Sequence, residues 1–339
     1  MTLVLLAAAC SSPAVDGGLT LDVPLGSSDD SSEGDAPEGD TGGFDPSGPA
    51  ETSTGGAQEE TGVDDSDAGM PSPGAHALCP DALPEAWLFC EDFEDLTDPA
   101  ATFFEYQDAD GAFVLDEGDA ASGVRTMKAS YVEGVEGAGW LSVAFGRNPI
   151  VYGNSPQASA DVDFQSIYWR VRVKMQEGWP DVGPGELTSA TAFASKEWQQ
   201  ALVARLRSDG DAAVLLAEPF SCIVGDALAC EGFDDADRQQ QLGGLLGATP
   251  LFSADASGSW HCVEAHVALN TPGLADGTFE FWIDDELQNE SHTLDWRGSW
   301  NEYGINLVTV ENLWPGGAPT DLERWFDDLV ISTEPIGCD

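Results

Sequence analysis

A histidine set among acidic side chains is the first place where this sequence could perform chemistry. His266 and Glu264 alternate with apolar residues in WHCVEAHVALN, and Glu280 and Trp282 do the same in GTFEFWIDD. Side chains two apart in a strand point to one face, so each segment has one apolar and one polar side. An imidazole beside a substrate can act as a general base near neutral pH. The pattern therefore predicts a polar strand face with His266 as its candidate base.

A group of cations follows the same two-residue spacing in SIYWRVRVKM, residues 166–175. Arg170, Arg172 and Lys174 are three of only 12 basic residues in the chain. Removing a proton next to a carboxylate needs a base and a cation that neutralises the carboxylate. One hypothesis is therefore removal of a proton next to a substrate carboxylate, with His266 as base and Arg172 or Lys174 as neutraliser. The alternative is a solvent-facing strand whose cations pair with acids on neighbouring strands.

The elements that would position these residues are short strands. Segments rich in aromatic and β-branched residues recur along residues 79–339 and are separated by Gly and Asp, with little helical periodicity. The turn-rich segment NTPGLADG joins the two strands that carry His266 and Glu280. This pattern predicts an all-β domain made of two packed antiparallel sheets.

Charge and composition set the remaining N-terminal part apart. Residues 11–78 hold 15 of the 61 acidic residues and no Lys or Arg, and they are rich in Gly, Ser, Pro and Thr. Such a segment buries too little apolar surface to fold, so it is predicted to be a disordered acidic tether. The formal net charge is −49, of which residues 79–339 carry −34. This excess of negative charge argues against nucleic acid as a partner and is compatible with a role in solubility.

The first ten residues, MTLVLLAAAC, place an apolar run and three alanines directly before Cys10. This arrangement resembles the lipobox of bacterial lipoproteins, in which the signal segment is removed and the cysteine is lipidated. The resemblance implies a lipid-anchored protein of the bacterial cell envelope, and Ser11 and Ser12 favour the outer membrane or the cell surface. The alternative is a chance cysteine after an apolar start.

Six further cysteines fit an exported protein. They allow fifteen pairings, and export favours three disulfides. Two pairs would close short loops and the third would tie the chain end to a central strand: Cys79 with Cys90, Cys222 with Cys230, and Cys262 with Cys338. No CxxC spacing occurs, which argues against a zinc site or thioredoxin-type chemistry.

Several segments together point to a known fold. WHCVEAHVALNT, ADGTFEFWIDD, GINLVTVEN and RWFDDLVIST resemble the concanavalin A-like jelly rolls of bacterial polysaccharide lyases of the heparin-lyase-like and glucuronan-lyase-like kind, and of lipoproteins built on the same sandwich. The resemblance covers roughly residues 85–338. It implies a curved sheet whose concave groove receives an extended glycan.

The candidate glycan contacts combine polar strand residues, loop residues and indoles. They are Glu264, Glu280, Trp282, Glu311, Asn312, Trp314 and Arg170, with Trp296 and Trp300 as further stacking platforms. Indole faces suit sugar rings, although tryptophan in a sandwich also packs cores. The ExDxxE pattern of retaining glucanases on this fold is absent.

The resemblance also implies a place for a structural ion. In related jelly rolls an early acidic turn and the last strand can share Ca²⁺, which makes Asp92, Glu94 and Asp327 the candidate ligands. The alternative is that these acids are simply hydrated, since Ca²⁺ needs six to eight oxygens. No cofactor is otherwise indicated.

The leading interpretation is a membrane-anchored surface lipoprotein whose jelly-roll domain binds a poly- or oligosaccharide. The first alternative is a polysaccharide lyase acting on a uronate-containing glycan. The second is a non-catalytic structural or adhesion module. Binding comes first because the fold signals are present and no catalytic motif is, and fold alone does not establish activity.

Overall fold

The computed structural model of this chain describes residues 78–152, 158–180, 185–210 and 212–338. Two antiparallel sheets pack face to face, which confirms the predicted all-β sandwich. Within these ranges no helix is long and apolar enough to cross a membrane. The predicted lipidation site Cys10 and residues 11–77 of the predicted tether lie outside the described residues.

The elements follow one another along the chain as short strands with a single turn of helix. They are β1 Trp87–Glu91, α1 Pro99–Thr102, β2 Glu105–Gln107, β3 Phe113–Glu117, β4 Arg125–Tyr131, β5 Gly137–Ala144, β6 Ser166–Met175, β7 Glu186–Phe193, β8 Gln200–Ser208, β9 Leu215–Ser221, β10 Ile223–Val224, β11 Ala227–Leu228, β12 Gln240–Gln241, β13 Leu245–Leu246, β14 Trp260–Ala268, β15 Gly277–Ile283, β16 Glu286–Leu294, β17 Leu307–Leu313 and β18 Leu322–Ser332. The helix α1 begins after Asp98, whose carboxylate accepts the N–H of Ala100.

Sheet A has the strand order β16-β15-β14-β6-β18-β4-β3, and β1 also pairs with β18. Sheet B has the order β12-β9-β8-β7-β17-β5-β2, and β13 also pairs with β9. The predicted neighbours β14 and β15 do pair, with His266 opposite Glu280 and Glu264 opposite Trp282. The polar residues of that hairpin therefore share the outer face of sheet A.

The core lies between the two sheets and is dense with aromatic side chains. Trp169 of β6 packs on Phe279 of β15, with ring centroids 6.3 Å apart. The Trp169 indole N–H donates across the sandwich to the Thr188 hydroxyl of sheet B at 3.0 Å. The buried indole therefore has its hydrogen bond satisfied, and that bond ties the sheets together.

Three tryptophans predicted to face a glycan belong to this core. Trp296, Trp300 and Trp314 are 0%, 5% and 3% exposed. Trp314 stacks on Trp179 at a centroid distance of 5.8 Å. The prediction that these indoles are stacking platforms is wrong, because a sugar ring cannot reach them.

A buried arginine also spans the sandwich. Arg324 of β18 is 1% exposed, and its Nη2 donates to the backbone carbonyls of Glu186 and Glu311 at 2.7 Å each. The same nitrogen lies 2.9 Å from the Asn312 Oδ1, which also accepts the Tyr131 hydroxyl at 3.2 Å. Asn312 therefore faces the core, and its predicted contact with a glycan is wrong.

The three predicted disulfides are present. Their Cα–Cα distances are 5.6 Å for Cys79–Cys90, 5.4 Å for Cys222–Cys230 and 5.8 Å for Cys262–Cys338. The third closes the longest loop, and long loops restrict the unfolded chain most.

Replacing Arg324 with Met should lower the free energy of unfolding by about 2–4 kcal/mol, because it removes the side-chain donor to two buried carbonyls and one of the two donors to the Asn312 Oδ1. Chemical denaturation measures the change. Arg238→Met is the matched control, because Arg238 is exposed and pairs only with surface acids, so its loss should cost at most about 1 kcal/mol. Equal losses in the two variants would contradict a structural role for Arg324.

Candidate functional site

The outer face of sheet A is covered by the end of the chain. Residues 333–338, here the C-terminal strap, pass over β14 and are fixed there by the Cys262–Cys338 disulfide. The Glu264 carboxylate accepts the backbone N–H groups of Ile336 at 2.9 Å and Gly337 at 2.8 Å. Trp282, the cross-strand partner of Glu264, is half-buried on the same face. The strap thus occupies the side-chain oxygens that were predicted to contact a glycan.

The three cations of β6 are also engaged within the protein. Arg170 is buried and donates to a strap carbonyl at 2.9 Å. Arg172 donates to the next strap carbonyl, and its Nε lies 3.1 Å from the Asp328 carboxylate. Lys174 pairs with Asp119. The cations are therefore paired within the protein, but the strand is not the solvent-facing one of the alternative interpretation, because Arg170 and Lys174 are buried.

His266 has a partner at each ring nitrogen. Its Nδ1 lies 2.6 Å from the Glu280 carboxylate and its Nε2 lies 2.8 Å from the Ser166 hydroxyl. The ring stacks on Tyr168 at 4.0 Å. Burial lowers the pKa of His266, and Glu280 opposes that shift. His266 pairs across strands with Tyr168 of β6, and Arg172 lies four residues further along that strand, about 13 Å away. The described structure therefore does not bring His266 and Arg172 to one sugar unit.

The carboxylates of the predicted calcium ligands accept hydrogen bonds from backbone amides. Asp92 accepts the N–H of Cys79, Glu94 those of Val124 and Arg125, and Asp327 those of Ala121 and Ser122. Burial raises the pKa of Asp327 to about 8, with Asp328 adding to the effect. In the described parts of the chain, Asp92, Glu94 and Asp327 do not bring their ligand atoms within 4.8 Å of one another. These three side chains therefore do not fit a calcium ion at this place.

The outer face of sheet B is different, because it carries a row of polar side chains across six adjacent strands. Residues paired directly across strands point to the same face. The register gives the row, from β2 through β5, β17, β7 and β8 to β9, as Glu105, Ser142, Thr309, Ser189, Arg205 and Glu218. With about 4.8 Å between neighbouring strands, the row is about 24 Å long.

A pocket of about 180 Å³ lies along the middle of this row. Strands β7, β8 and β17 form its floor, and the segments around residues 233 and 315 form its edges. Its lining residues are Glu186, Ser189, Thr191, Gln200, Val203, Arg205, Phe233, Asp234, Leu307, Thr309, Glu311, Leu313 and Pro315. Together with the polar row, this pocket is called the sheet-B groove below.

Three carboxyl groups and a guanidinium dominate the electrostatics of the groove. The Arg205 Nε lies 3.6 Å from the Glu186 Oε2, and its Nη2 lies 3.3 Å from the Asp234 Oδ1. The Ser189 hydroxyl donates to the Glu311 carboxylate at 2.6 Å. Glu311 was predicted as a glycan contact, and it lies in this groove.

The groove floor also has unmet hydrogen-bonding capacity. Glu186 is 5% exposed, and neither its Oε2 nor the Arg205 Nε has a hydrogen-bond partner. Burial raises the pKa of Glu186 to about 7, although Arg205 opposes the shift, and burial also raises the pKa of Glu311. Unpaired buried polar atoms are uncommon, and shifted carboxyl groups in a cleft are typical of functional sites.

Two exposed aromatic side chains border the groove. Trp140 of β5 is 39% exposed and pairs across strands with Glu311. Phe233 is 62% exposed at the groove edge. Neither was predicted as a site residue. The alternation of Trp140 and Ser142 in WLSVAFG was the available signal, but it becomes a site only when β5 pairs with β17, far along the chain.

The pKa of Glu186 predicts a pH-dependent stability. The folded-state pKa of about 7 lies above the ordinary value of 4.5, so the contribution of the protonated form is complete below pH 4.5 and is lost as the pH rises through 7. Glu186→Gln keeps the neutral form. It should match the wild type at pH 5 and exceed its unfolding free energy at pH 8 by about 1–3 kcal/mol.

Chemical denaturation at the two pH values measures this difference, and Glu197→Gln is the control because Glu197 is exposed. If Glu186→Gln and the wild type lose stability in parallel, the carboxyl group is ionised throughout and the interpretation fails.

Comparisons with known proteins give likenesses of structure and none of sequence. No family model matches the chain, and no curated protein matches it. The endo-β-1,4-glucuronan lyase from the fungus Trichoderma reesei is similar in structure, with 12% identity, a TM-score of 0.48, and coverage of 73% of this chain and 96% of that one. Alginate lyase vAL-1 from a Chlorella virus shows 12% identity and a TM-score of 0.46, covering 69% of this chain and 100% of that one. The PL-14 alginate lyase from Aplysia kurodai shows 15% identity and a TM-score of 0.45, covering 66% of this chain and 88% of that one.

Proposed function

We propose that the sheet-B groove binds an extended, uncharged poly- or oligosaccharide. The observation that carries this proposal is the polar row of six side chains on six adjacent strands, about 24 Å long. Ser142, Ser189, Thr309 and Glu218 are 2%, 3%, 7% and 7% exposed, so a linear ligand lying across the strands would contact the row only where the pocket opens to its floor. A compact ligand would use only a small part of such a row.

The chemistry of the row suits sugar hydroxyl groups. The Ser142 and Thr309 hydroxyls bond to each other at 3.1 Å and the Ser189 hydroxyl donates to Glu311, so each hydroxyl keeps acceptor capacity for a sugar. The Glu186 Oε2 and the Arg205 Nε form an ion pair at 3.6 Å without a hydrogen bond, and such a ligand could bond to both. Each partner gained removes the cost of a buried polar group left unpaired.

Charge favours a neutral glycan over a uronate polymer. The described groove holds more acidic side chains than basic ones, and its Arg205 and Arg207 already pair with groove acids. Residues 79–339 carry a formal charge of −34. A polyanion would therefore approach against an unfavourable potential, which slows and weakens its binding.

A polysaccharide lyase remains the alternative function, and the geometry supports it less. Among the described residues that line the groove there is no histidine, tyrosine or lysine to serve as the usual base. His266 has such chemistry, but both of its ring nitrogens are engaged on the opposite sheet. A structural or adhesion module without a glycan ligand is the second alternative.

We also propose that the chain is exported and anchored through a lipid on Cys10, at the outer membrane or cell surface of a bacterium. Three disulfides support export, because such bonds persist in oxidising compartments and are rare in the cytosol.

Trp140→Ala should weaken glycan binding about 10-fold, because the exposed indole offers a stacking face beside Glu311. Affinity electrophoresis or calorimetry with a panel of neutral glucans, xylans and mannans measures the effect. Trp282→Ala is the matched control, since Trp282 lies on the outer face of sheet A. A loss of binding in Trp282→Ala and none in Trp140→Ala would place the ligand on sheet A.

Adding uronate polymers to the panel separates the alternatives. Alginate, glucuronan, heparin and pectate should bind more weakly than the neutral glycans and show no ultraviolet absorbance from an unsaturated uronate. A rise that disappears in His266→Ala would establish the lyase and overturn the proposed function. Binding to no member of the panel would favour the structural module.

Cys10→Ser should release the full chain from the membrane fraction of a bacterial host, because the variant lacks the thiol that would carry the proposed lipid anchor. Ser12→Ala, two residues away, should leave the protein in that fraction. Immunodetection after fractionation distinguishes them, and continued membrane association of Cys10→Ser would contradict lipid anchoring.

A further inference from the structure

A group of metal-ligating side chains lies on the outer face of sheet A, away from the sheet-B groove. Glu280 of β15 pairs directly with Glu290 of β16, and His292 lies two residues beyond Glu290 on the same face. The His292 Nε2 is 3.4 Å from the Glu280 Oε1 and 3.1 Å from the Glu290 Oε2. One ligand atom from each residue falls within 4.8 Å of the other two. Three ligands therefore converge on one point.

The charges at this point are unbalanced. Like charges directly opposite on neighbouring strands are unfavourable, and Glu280 and Glu290 are such a pair. Their ion-pair partners among the described residues are the imidazoles of His266 and His292, with no lysine or arginine. A divalent cation would remove the repulsion that the strand register imposes.

Independent contacts outside the group orient two of the ligands. The buried His266 ring binds the Glu280 Oε2 at 2.6 Å, and Ser166 holds the other side of that ring at 2.8 Å. This leaves the Glu280 Oε1 directed at His292. The His292 Nδ1 lies 3.3 Å from the Thr278 hydroxyl, which leaves its Nε2 for the ion. Metal sites characteristically fix their histidine and carboxylate ligands through such outer contacts.

We propose that Glu280, Glu290 and His292 bind one Zn²⁺ ion. One imidazole nitrogen and two carboxylate oxygens are a ligand set that zinc accepts, whereas calcium and magnesium prefer oxygen alone. Water completes the coordination, because Glu290 and His292 are exposed to solvent. The absence of CxxC spacings bears on thiolate sites and not on this one.

Calorimetric titration of the full chain with ZnCl₂, after removal of metals by chelation, tests the proposal. Excess Ca²⁺ in the buffer occupies the many surface carboxylates, so the site should appear as one ion per chain. His292→Ala and Glu290→Gln should each weaken that binding at least 10-fold. Glu286→Gln, an exposed acid on the same strand β16, is the matched control and should leave affinity unchanged.

Cobalt gives a second readout that does not depend on the heat of binding. Co²⁺ bound by this set should show visible absorption bands in the wild type and in Glu286→Gln, and these bands should be lost in His292→Ala. Melting temperatures in chelator establish that the variants are folded. Zinc bound equally by wild type and His292→Ala, or the absence of a one-to-one site in the wild type, would overturn the proposal.

Discussion

The Arg324 guanidinium is the contact on which the arrangement of the sheet-B groove depends. It rises from β18 of sheet A, crosses the core and donates to the carbonyls of Glu186 on β7 and Glu311 on β17. Removing a cation from water is costly, so such a residue persists only where polar partners surround it. Here the partners are the backbone atoms of the two residues that bring carboxyl groups to the groove. Arg324 therefore bridges β7 and β17 just beyond the last pair of their backbone ladder, Thr188 with Val310, at the point where both strands reach the groove.

The two outer faces of the sandwich differ because the C-terminal strap lies on one of them, the face of sheet A. On sheet A, the C-terminal strap and nearby acids contact Glu264, Arg170 and Arg172, although the Arg170 Nε and Nη2 and the Arg172 Nε have no hydrogen bond. On sheet B, the segments around residues 233 and 315 border the polar row, and Glu186 and Arg205 also keep atoms without a hydrogen bond. Polar groups that are already satisfied gain little from a ligand, whereas unpaired ones gain a full partner. The two faces therefore differ in what borders them, a strap fixed by a disulfide on sheet A and the edges of an open pocket on sheet B.

Local patterns in the sequence predicted the elements well and the site poorly, for a physical reason. The two-residue alternation around His266 and Glu280 predicted paired strands with a shared polar face, and the three cysteine pairs were also predicted. The function of a polar face, however, depends on what lies over it. Nothing in SIYWRVRVKM indicates that residues more than 160 positions later bind its arginines. Likewise, Trp140, Ser189 and Arg205 come together only through strand order, which alternation does not encode.

The acidic side chains of the domain act differently in the groove and on the rest of the surface. Across the surface, a charge of −34 acts as a general source of solubility. At the groove floor, burial makes a charged carboxylate costly and raises the pKa of Glu186 to about 7, so the protonated form, which donates as well as accepts, is populated near neutral pH. A sugar hydroxyl can bond to that group without bringing charge into the low-dielectric floor, whereas a uronate would have to lose its hydration and approach an acidic surface. The same composition that keeps the protein soluble would thus select among glycans by charge, with the buried row supplying the hydrogen bonds.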